Sequence, residues 1–184
     1  MNKIGILMAD GFEESETMIV ADILRRLDFE VTTYSTTQCL YVKGMQKMVL
    51  KADKLLDSGI NECDCLFIPG GRPGGDNLKN DARVISLIKD FNDQKKYIAA
   101  MCSGTLLLEE TDIIKGRKVT GYHGYEERLL SGQFIHEVVV HDENLITSVG
   151  PATPYPIAFK IAEVLGKDPS ILKEKILYNF AGGK

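Results

Sequence analysis

The amino-acid sequence predicts an α/β protein with a mainly parallel sheet that is covered by helices on both faces. Three observations indicate this fold class. Short apolar runs typical of buried parallel strands recur along the chain, for example Lys3–Met8 and Cys65–Ile68. Segments in which apolar residues follow helical spacing separate these runs. Turns rich in glycine or other turn-forming residues follow several of the runs.

The first elements form a βαβ unit. After Lys3–Met8 and a turn, residues 13–27 place apolar side chains at spacings of three and four, which predicts an amphipathic helix. The β-rich segment Glu30–Ser35 predicts the second strand. A strand, a helix and a strand within so few residues should form a unit with a right-handed connection.

The rest of the chain continues this alternation without an internal repeat or a linker, so residues 1–184 are expected to form a single domain. Strands are predicted at 48–50, 65–68, 97–101 and 117–120, and residues 134–140 and 145–149 predict a β-hairpin with a four-residue loop. A helical turn is predicted at 53–56 and helices at 81–91, from 106, at 153–165 and at about 169–178.

Composition and charge exclude several classes of protein. A net charge of -4 without a basic cluster argues against nucleic-acid binding. No apolar run approaches the roughly 20 residues that cross a bilayer. The start of the sequence leads directly into a strand, which predicts no signal peptide, a cytoplasmic location and reduced cysteines. Cys63 and Cys65 lack a second Cys or His pair at zinc spacing, so no metal site is predicted.

Cys102 is the principal candidate for chemistry. It ends an apolar strand and is followed by Ser103 and Gly104, a pattern of small residues around a nucleophile that predicts a sharp strand-to-helix turn. At the start of a helix, unpaired N–H groups and the helix dipole should lower the pKa of a thiol. The alternative is an unreactive core cysteine.

Two other strand ends are expected to meet Cys102, because ligands in open α/β sheets bind beyond the carboxyl ends of the strands. Glu16 follows the first strand and is placed to project back toward the crevice, where its pKa would be raised and it could move a proton. Gly70 and Gly71 follow the strand Cys65–Ile68, and their bare N–H groups are candidates for an oxyanion site. Plain loop flexibility is the alternative for these glycines.

His123 is the one histidine predicted near this crevice, and Tyr122 beside it is the competing candidate. His136 and His141 fall in a predicted strand and a hairpin loop, where surface roles are expected. No nucleotide is predicted, because neither a G-x-G-x-x-G pattern nor a P-loop lysine motif is present.

Four motifs together resemble those of the DJ-1/ThiJ/PfpI superfamily: ADGFEESET (9–17), PGG (69–71), AAMCSG (99–104) and TSVGP (147–151). The DJ-1-like branch is the nearest, since Ser103 stands where peptidase-like members carry histidine. The resemblance implies a flavodoxin-like three-layer fold, a homodimer and an oxidation-sensitive cysteine. It assigns the nucleophile to Cys102 and a protonated acid to Glu16, with the N–H groups of Gly71 and Ser103 around the thiol. The family's histidine position falls on Tyr122, or on His123 after a one-residue shift.

The resemblance also implies a reaction that needs no cofactor. Its substrates would be small α-oxoaldehydes such as methylglyoxal, converted to hydroxy acids by a glyoxalase reaction, with deglycation as a related possibility. A protective, oxidation-sensing chaperone that uses the same cysteine is the alternative. A cysteine peptidase is the least supported hypothesis, because no histidine adjoins the thiol in sequence.

Overall fold

A seven-stranded sheet forms the centre of the computed structural model, which describes residues 2–56 and 58–182. The strands of the described residues, in chain order, are β1 (Lys3–Met8), β2 (Glu30–Ser35), β3 (Tyr41–Lys43), β4 (Val49–Lys51), β5 (Lys54–Leu55), β6 (Cys65–Ile68), β7 (Tyr97–Met101), β8 (Lys118–Val119), β9 (Gln133–Phe134), β10 (Val139–Asp142) and β11 (Leu145–Ser148). The helices are α1 (Glu14–Arg26), α2 (Gly74–Lys79), α3 (Ala82–Asp93), α4 (Leu106–Glu109), α5 (Pro154–Val164) and α6 (Ser170–Lys175).

The sheet has the strand order β10-β11-β7-β6-β1-β2-β5, in which β10 is antiparallel and the other strands are parallel. The predicted mainly parallel α/β fold is therefore confirmed. The chain passes from β1 to β2 on one side and later returns to β6 on the other. This reversal leaves a crevice beyond the carboxyl ends of β1 and β6, the usual ligand position in such sheets.

Apolar layers cover both faces of the sheet. Successive residues of a strand point to opposite faces, so Ile98 and Ala100 of β7 pack with α2, α3 and α4, whereas Ala99 and Met101 pack with α1, α5 and α6. The strands that carry the crevice are buried along most of their length. Loops at their ends are thus held by a rigid core.

Several local predictions are wrong. Residues 53–56 contain strand β5 instead of a helical turn, because the Asp53 carboxylate accepts hydrogen bonds from the backbone N–H and hydroxyl of Thr33 and holds this segment beside β2. The hairpin β10–β11 turns over two residues, Glu143 and Asn144, so His141 lies in the strand. The buried Asn144 side chain donates to the Lys96 carbonyl and fixes this turn.

The two short strands β8 and β9 pair with each other in a separate parallel ribbon and do not extend the central sheet. Strand β4 confirms the prediction near 48–50, and its partner β3 was not predicted. Helix α2 begins at Gly74, in a segment that the sequence indicates only as a turn. The helix expected after Cys102 is short, a 3₁₀ turn at Cys102–Thr105 followed by the four residues of α4.

Candidate active site

Cys102 lies at the sharp turn that the sequence predicts. Met101 is the last extended residue of β7, and Cys102 adopts a left-handed backbone conformation with φ of 52°. This conformation is uncommon for residues other than glycine and indicates local strain that the surrounding structure must maintain. The side chain is half-buried, so the thiol is held in place but still reaches solvent.

Gly70 makes room for this turn. A β-carbon at Gly70 would lie 2.6 Å from Cβ of Cys102 and 2.8 Å from the backbone nitrogen of Ser103. Such contacts are far inside van der Waals distance, so a larger residue at this position must displace the cysteine. Gly70 of the PGG motif thus contributes to the site because it has no side chain.

The Gly70→Ala variant is therefore expected to lose most of the reactivity of Cys102 toward iodoacetamide and about 1–3 kcal/mol of unfolding free energy, because the added methyl group overpacks the turn. Mass spectrometry of the alkylated peptide and urea denaturation measure the two effects. Gly116→Ala is the control for alkylation, since a β-carbon there meets no atom within 4 Å. Its φ of 74° gives this variant a stability cost of its own, but its Cys102 should react at the native rate. Unchanged alkylation in Gly70→Ala would contradict this account.

Glu16 is fully buried in the first turns of α1, and its carboxyl group reaches the thiol. The backbone N–H of Gly70 donates to Oε2 of Glu16 at 2.6 Å. Oε1 accepts no hydrogen bond from a nitrogen or oxygen of the described residues, and the Cys102 side chain lies close enough to interact with this carboxyl. The structure therefore brings Glu16 and Cys102 together as the sequence predicts.

Burial raises the pKa of Glu16 from 4.5 to about 7, against the opposing hydrogen bond from Gly70. Burial also raises the pKa of Cys102. The charge of the Glu16 carboxylate raises this pKa further, to about 12. The backbone N–H groups of Ser103 and Gly71 act in the opposite direction. Because the two side chains interact directly, they titrate as a pair that holds one proton over a wide pH range.

The expectation that a helix dipole lowers the pKa of Cys102 is thus wrong for this structure. The segment that follows the cysteine is a single 3₁₀ turn and four α-helical residues, which form too short a dipole to outweigh burial and a neighbouring carboxylate. The thiol depends instead on Glu16 to accept its proton.

The predicted N–H donors divide into two groups. Those of Gly71 and Ser103 face the Cys102 sulfur, as expected. That of Gly70 donates to Glu16, so it positions the acid and is not a free oxyanion donor. The hydroxyl of Ser103 is also occupied, because it donates to the Gly71 carbonyl at 2.9 Å and ties the two loops together.

A cavity of about 290 Å³ reaches the thiol at this junction. Tyr122 lines it, with its ring packed over Gly150. His123 instead lines a different cavity together with His136, so the structure does not bring the predicted His123 into the lining of the Cys102 cavity. The lining residues of the Cys102 cavity are Glu13, Met45, Gly71, Arg72, Cys102, Ser103, Tyr122, Tyr125 and Pro151.

Five of these lining residues were not predicted as site residues: Glu13 and Pro151, which lie within two of the motifs, and Arg72, Met45 and Tyr125. The Arg72 guanidinium donates to the hydroxyl of Tyr125 at 3.1 Å, and the Arg72 backbone N–H approaches the sulfur of Met45 at 3.3 Å. The sequence signal that could have indicated Arg72 as a site residue was its position directly after Gly71 of the PGG motif. Met45 and Tyr125 come from segments with no recognisable motif, and only the folded structure brings them to the cavity.

Glu14 holds in place the loop that forms one wall of the cavity. Its side chain is buried, and Oε1 accepts hydrogen bonds from the backbone N–H groups of Gln46 and Met48 at 2.8 and 3.3 Å. These contacts fix the loop between β3 and β4 that carries Met45 to the cavity. Glu14 is therefore a positioning residue for this wall of the site.

The Glu14→Ala variant should lose about 1–3 kcal/mol of unfolding free energy, because two part-buried N–H groups lose a charged acceptor. Hydrogen exchange at residues 44–48 should also become faster. Glu14→Gln retains an acceptor oxygen and is expected to lose clearly less stability. Equal losses in the two variants, with unchanged exchange in the loop, would contradict this role.

Within residues 2–56 and 58–182, no group of three or more His, Cys, Asp or Glu side chains is arranged to hold a metal ion. No helix in the described part of the chain is long and apolar enough to cross a membrane.

Comparisons with known proteins show the family to which the chain is similar. The family model described as DJ-1/PfpI family matches residues 2–164. The Parkinson disease protein 7 homolog of Danio rerio is 31% identical over 182 residues, covering 92% of this chain and 96% of that protein. Protein/nucleic acid deglycase 2 of Escherichia coli (strain K12) is 34% identical over 157 residues, covering 81% and 89%. The chain spans only 37% of the length of another relative, protein DJ-1 homolog B of Arabidopsis thaliana.

Solved structures give the same result. Drosophila melanogaster DJ-1beta superimposes with a TM-score of 0.91 at 28% identity, covering 96% of this chain and 97% of that one. This similarity confirms a flavodoxin-like α/β fold. The match of the family model over most of the sequence, together with relatives above 30% identity, leads to one conclusion. The chain belongs to the DJ-1/PfpI family.

Proposed function

We propose that the protein converts small α-oxoaldehydes such as methylglyoxal to hydroxy acids in a glyoxalase reaction that needs no cofactor. The observation that supports this most directly is the contact between the Cys102 thiol and the Glu16 carboxyl at the end of a cavity. A nucleophile and a group that holds a proton near neutral pH are the two components that the reaction needs.

In the first step the sulfur of Cys102 attacks the aldehyde carbon and forms a carbon–sulfur bond. The thiol proton passes to Glu16, whose carboxylate accepts it because the raised pKa makes it a competent base near pH 7. The aldehyde oxygen then takes this proton, which gives a hemithioacetal. N–H groups of Gly71 and Ser103, which face the sulfur, are proposed to assist the developing charge.

In the second step Glu16 removes the proton from the former aldehyde carbon and returns it to the adjacent carbon. The hydroxyl proton shifts from the first oxygen to the second. The first carbon is thereby oxidised to a thioester and the second is reduced to an alcohol, so no external oxidant or reductant is needed. The hydroxyl of Tyr122, which lines the cavity, is proposed to orient the substrate oxygen.

In the last step water attacks the thioester carbonyl and the carbon–sulfur bond breaks. Methylglyoxal and one water molecule thus give lactate, and the thiol is restored. A relative carries the name protein/nucleic acid deglycase 2. Attack of the same thiol on an aldehyde adduct of an amine would release the amine, so a deglycase activity of this site is part of the proposal.

Proton NMR of methylglyoxal in deuterated buffer tests the proposal. The protein should produce lactate well above the buffer rate, and the methine position should retain part of the substrate hydrogen, since a buried carboxyl carries the proton between carbons. If lactate forms no faster with the protein than in a protein-free sample, the glyoxalase function is ruled out.

A protective redox function is the second candidate. The half-buried sulfur has N–H donors and a proton-bearing carboxyl around it, and this arrangement suits a sulfinate, formed when a thiol and two molecules of peroxide give the sulfinic acid and two molecules of water. Mass spectrometry after mild peroxide treatment should then show oxidation at Cys102 before the exposed Cys39. Selective oxidation without lactate formation would favour the redox function.

The remaining expectations from the sequence stay predictions. A homodimer is checked by light scattering, and a cytoplasmic location by fractionation. The peptidase hypothesis gains nothing from the geometry, because no histidine is among the described residues that line the Cys102 cavity.

A further inference from the structure

Arg72 places a permanent positive charge at the mouth of the Cys102 cavity. Its side chain is exposed and lines the cavity, and its guanidinium is held by the hydroxyl of Tyr125 at 3.1 Å. This hydrogen bond uses one of the five N–H donors that the side chain carries. The group is thus oriented, with donors left over.

No carboxylate among the residues that the structure describes forms an ion pair with this cation. Among the ion pairs of the described residues, none includes Arg72. Asp76 acts on it only through space, and a charge on Cys102 also influences it, so the guanidinium lies within electrostatic reach of the reactive sulfur. An oriented and unpaired arginine beside a nucleophile is a recognition element for an anion.

The other charged group of the cavity is Glu13, whose Oε1 accepts a hydrogen bond from Ser15. Its negative charge disfavours anions, so binding of an anionic group depends on Arg72. Of the described residues that line the cavity, Arg72 is the only basic one. One guanidinium matches a singly charged carboxylate, whereas a phosphate dianion would keep an uncompensated charge.

We propose that Arg72 is a specificity-determining residue, which binds a carboxylate at the far end of an α-oxoaldehyde while Cys102 attacks the aldehyde carbon. This inference rests on the proposed function and names its preferred substrate class, the α-oxoaldehydes that carry a distal carboxylate. The product would be a hydroxy dicarboxylic acid, formed by the same three steps.

Two substrates of equal chain length test this specificity. 4,5-Dioxopentanoate carries a terminal carboxylate, and 2-oxopentanal carries a methyl group in its place. The native protein should favour the anion by about tenfold in kcat/KM, and Arg72→Met should remove this preference mainly through a higher KM for the anion. Arg72→Lys should retain part of it. A preference that survives in Arg72→Met would overturn the inference, as would equal losses on both substrates.

Arg26→Met is the matched control. It removes the same charge from the exposed end of α1, about 18 Å along the helix from its first turn. The control should keep the native preference for the anion. A loss of preference in this variant would show that the overall net charge, rather than Arg72, attracts the anion.

A second measurement separates this inference from the proposed function. Iodoacetate is an anion and iodoacetamide is its neutral counterpart, and both alkylate cysteine without any turnover. The ratio of the two rates at Cys102 should exceed the ratio at the exposed Cys39 severalfold and should fall about threefold or more in Arg72→Met, while the ratio at Cys39 stays constant. If the native protein turns over neither substrate, the proposed function fails, and this ratio still decides whether Arg72 draws anions to the thiol. An unchanged ratio at Cys102 would overturn the role of Arg72.

Discussion

The Cys102→Ala variant is expected to lose at least about 10³-fold in kcat/KM for methylglyoxal, because without the sulfur no covalent intermediate forms. The fold should remain intact, since alanine fits the space that the half-buried thiol leaves. Lactate formation measured over a range of methylglyoxal concentrations gives the rate, and urea denaturation confirms that the variant folds.

Cys39→Ala is the control for this variant, because Cys39 is exposed and does not line the cavity. It should keep the full rate of lactate formation. Cys63 and Cys65 are buried, and burial raises the pKa of both thiols, so neither is expected to take over the reaction. Full turnover by Cys102→Ala would exclude the proposed mechanism.

The Glu16→Gln variant should lose about 10²–10³-fold in kcat for the same substrate, because the amide neither accepts the thiol proton nor carries a proton between carbons. The fold-change should be larger in kcat than in KM, since the buried Glu16 carboxyl meets the substrate only at the carbon bonded to the Cys102 sulfur and is not among the residues that line the rest of the cavity. Steady-state kinetics separate the two parameters. A variant with native kcat would contradict the role of Glu16.

The same variant should change how stability depends on pH. Below pH 4.5 the Glu16 carboxyl is protonated in both the folded and unfolded states, and its raised pKa contributes its full stabilisation. Between 4.5 and about 7 the unfolded chain has released this proton and the folded chain retains it, so stability falls as the pH rises. The shift corresponds to about 3 kcal/mol.

Urea denaturation of the native protein between pH 4.5 and pH 8 should therefore show a loss of stability that exceeds the loss in Glu16→Gln by about 3 kcal/mol. Titrating groups that do not interact with Glu16 contribute equally to both proteins and cancel in the comparison, and the thiol of Cys102, which does interact with it, has a pKa far above this pH range in the native protein. Parallel stability curves for the two proteins would mean that Glu16 is not buried next to the thiol as the structure describes.

The buried strands were predictable from sequence because each is a short apolar run with few competing interpretations. Cys65–Ile68 and Lys3–Met8 are fixed by hydrophobicity alone, and the structure has them with the predicted bounds. Residues 53–56 were not predictable, since the Asp53 contacts that make them extended come from a distant part of the chain. The two-residue hairpin turn likewise depends on the buried side chain of Asn144.

For the site, the sequence predicted which residues meet and the raised pKa of Glu16, but not the direction of the pKa shift at Cys102. Cys102, Glu16 and Gly71 follow three neighbouring strands, so the rule for strand ends brings them together. The direction of the pKa shift of Cys102 depends on its burial and on its distance from Glu16, and neither quantity is written in a motif. Arg72 was missed because a single arginine in a turn is most often a solvated surface residue.

Alkylation of Cys102 by iodoacetamide as a function of pH tests most directly whether the thiol and Glu16 share one proton. The native protein should show a rise in rate near pH 7, where the pair loses its first proton, and a second rise toward pH 12. Glu16→Gln should lose the step near pH 7 and keep a single later one, while Glu14→Gln should keep both. A native profile with one step that is unchanged in Glu16→Gln would show that the cysteine ionises independently of the acid.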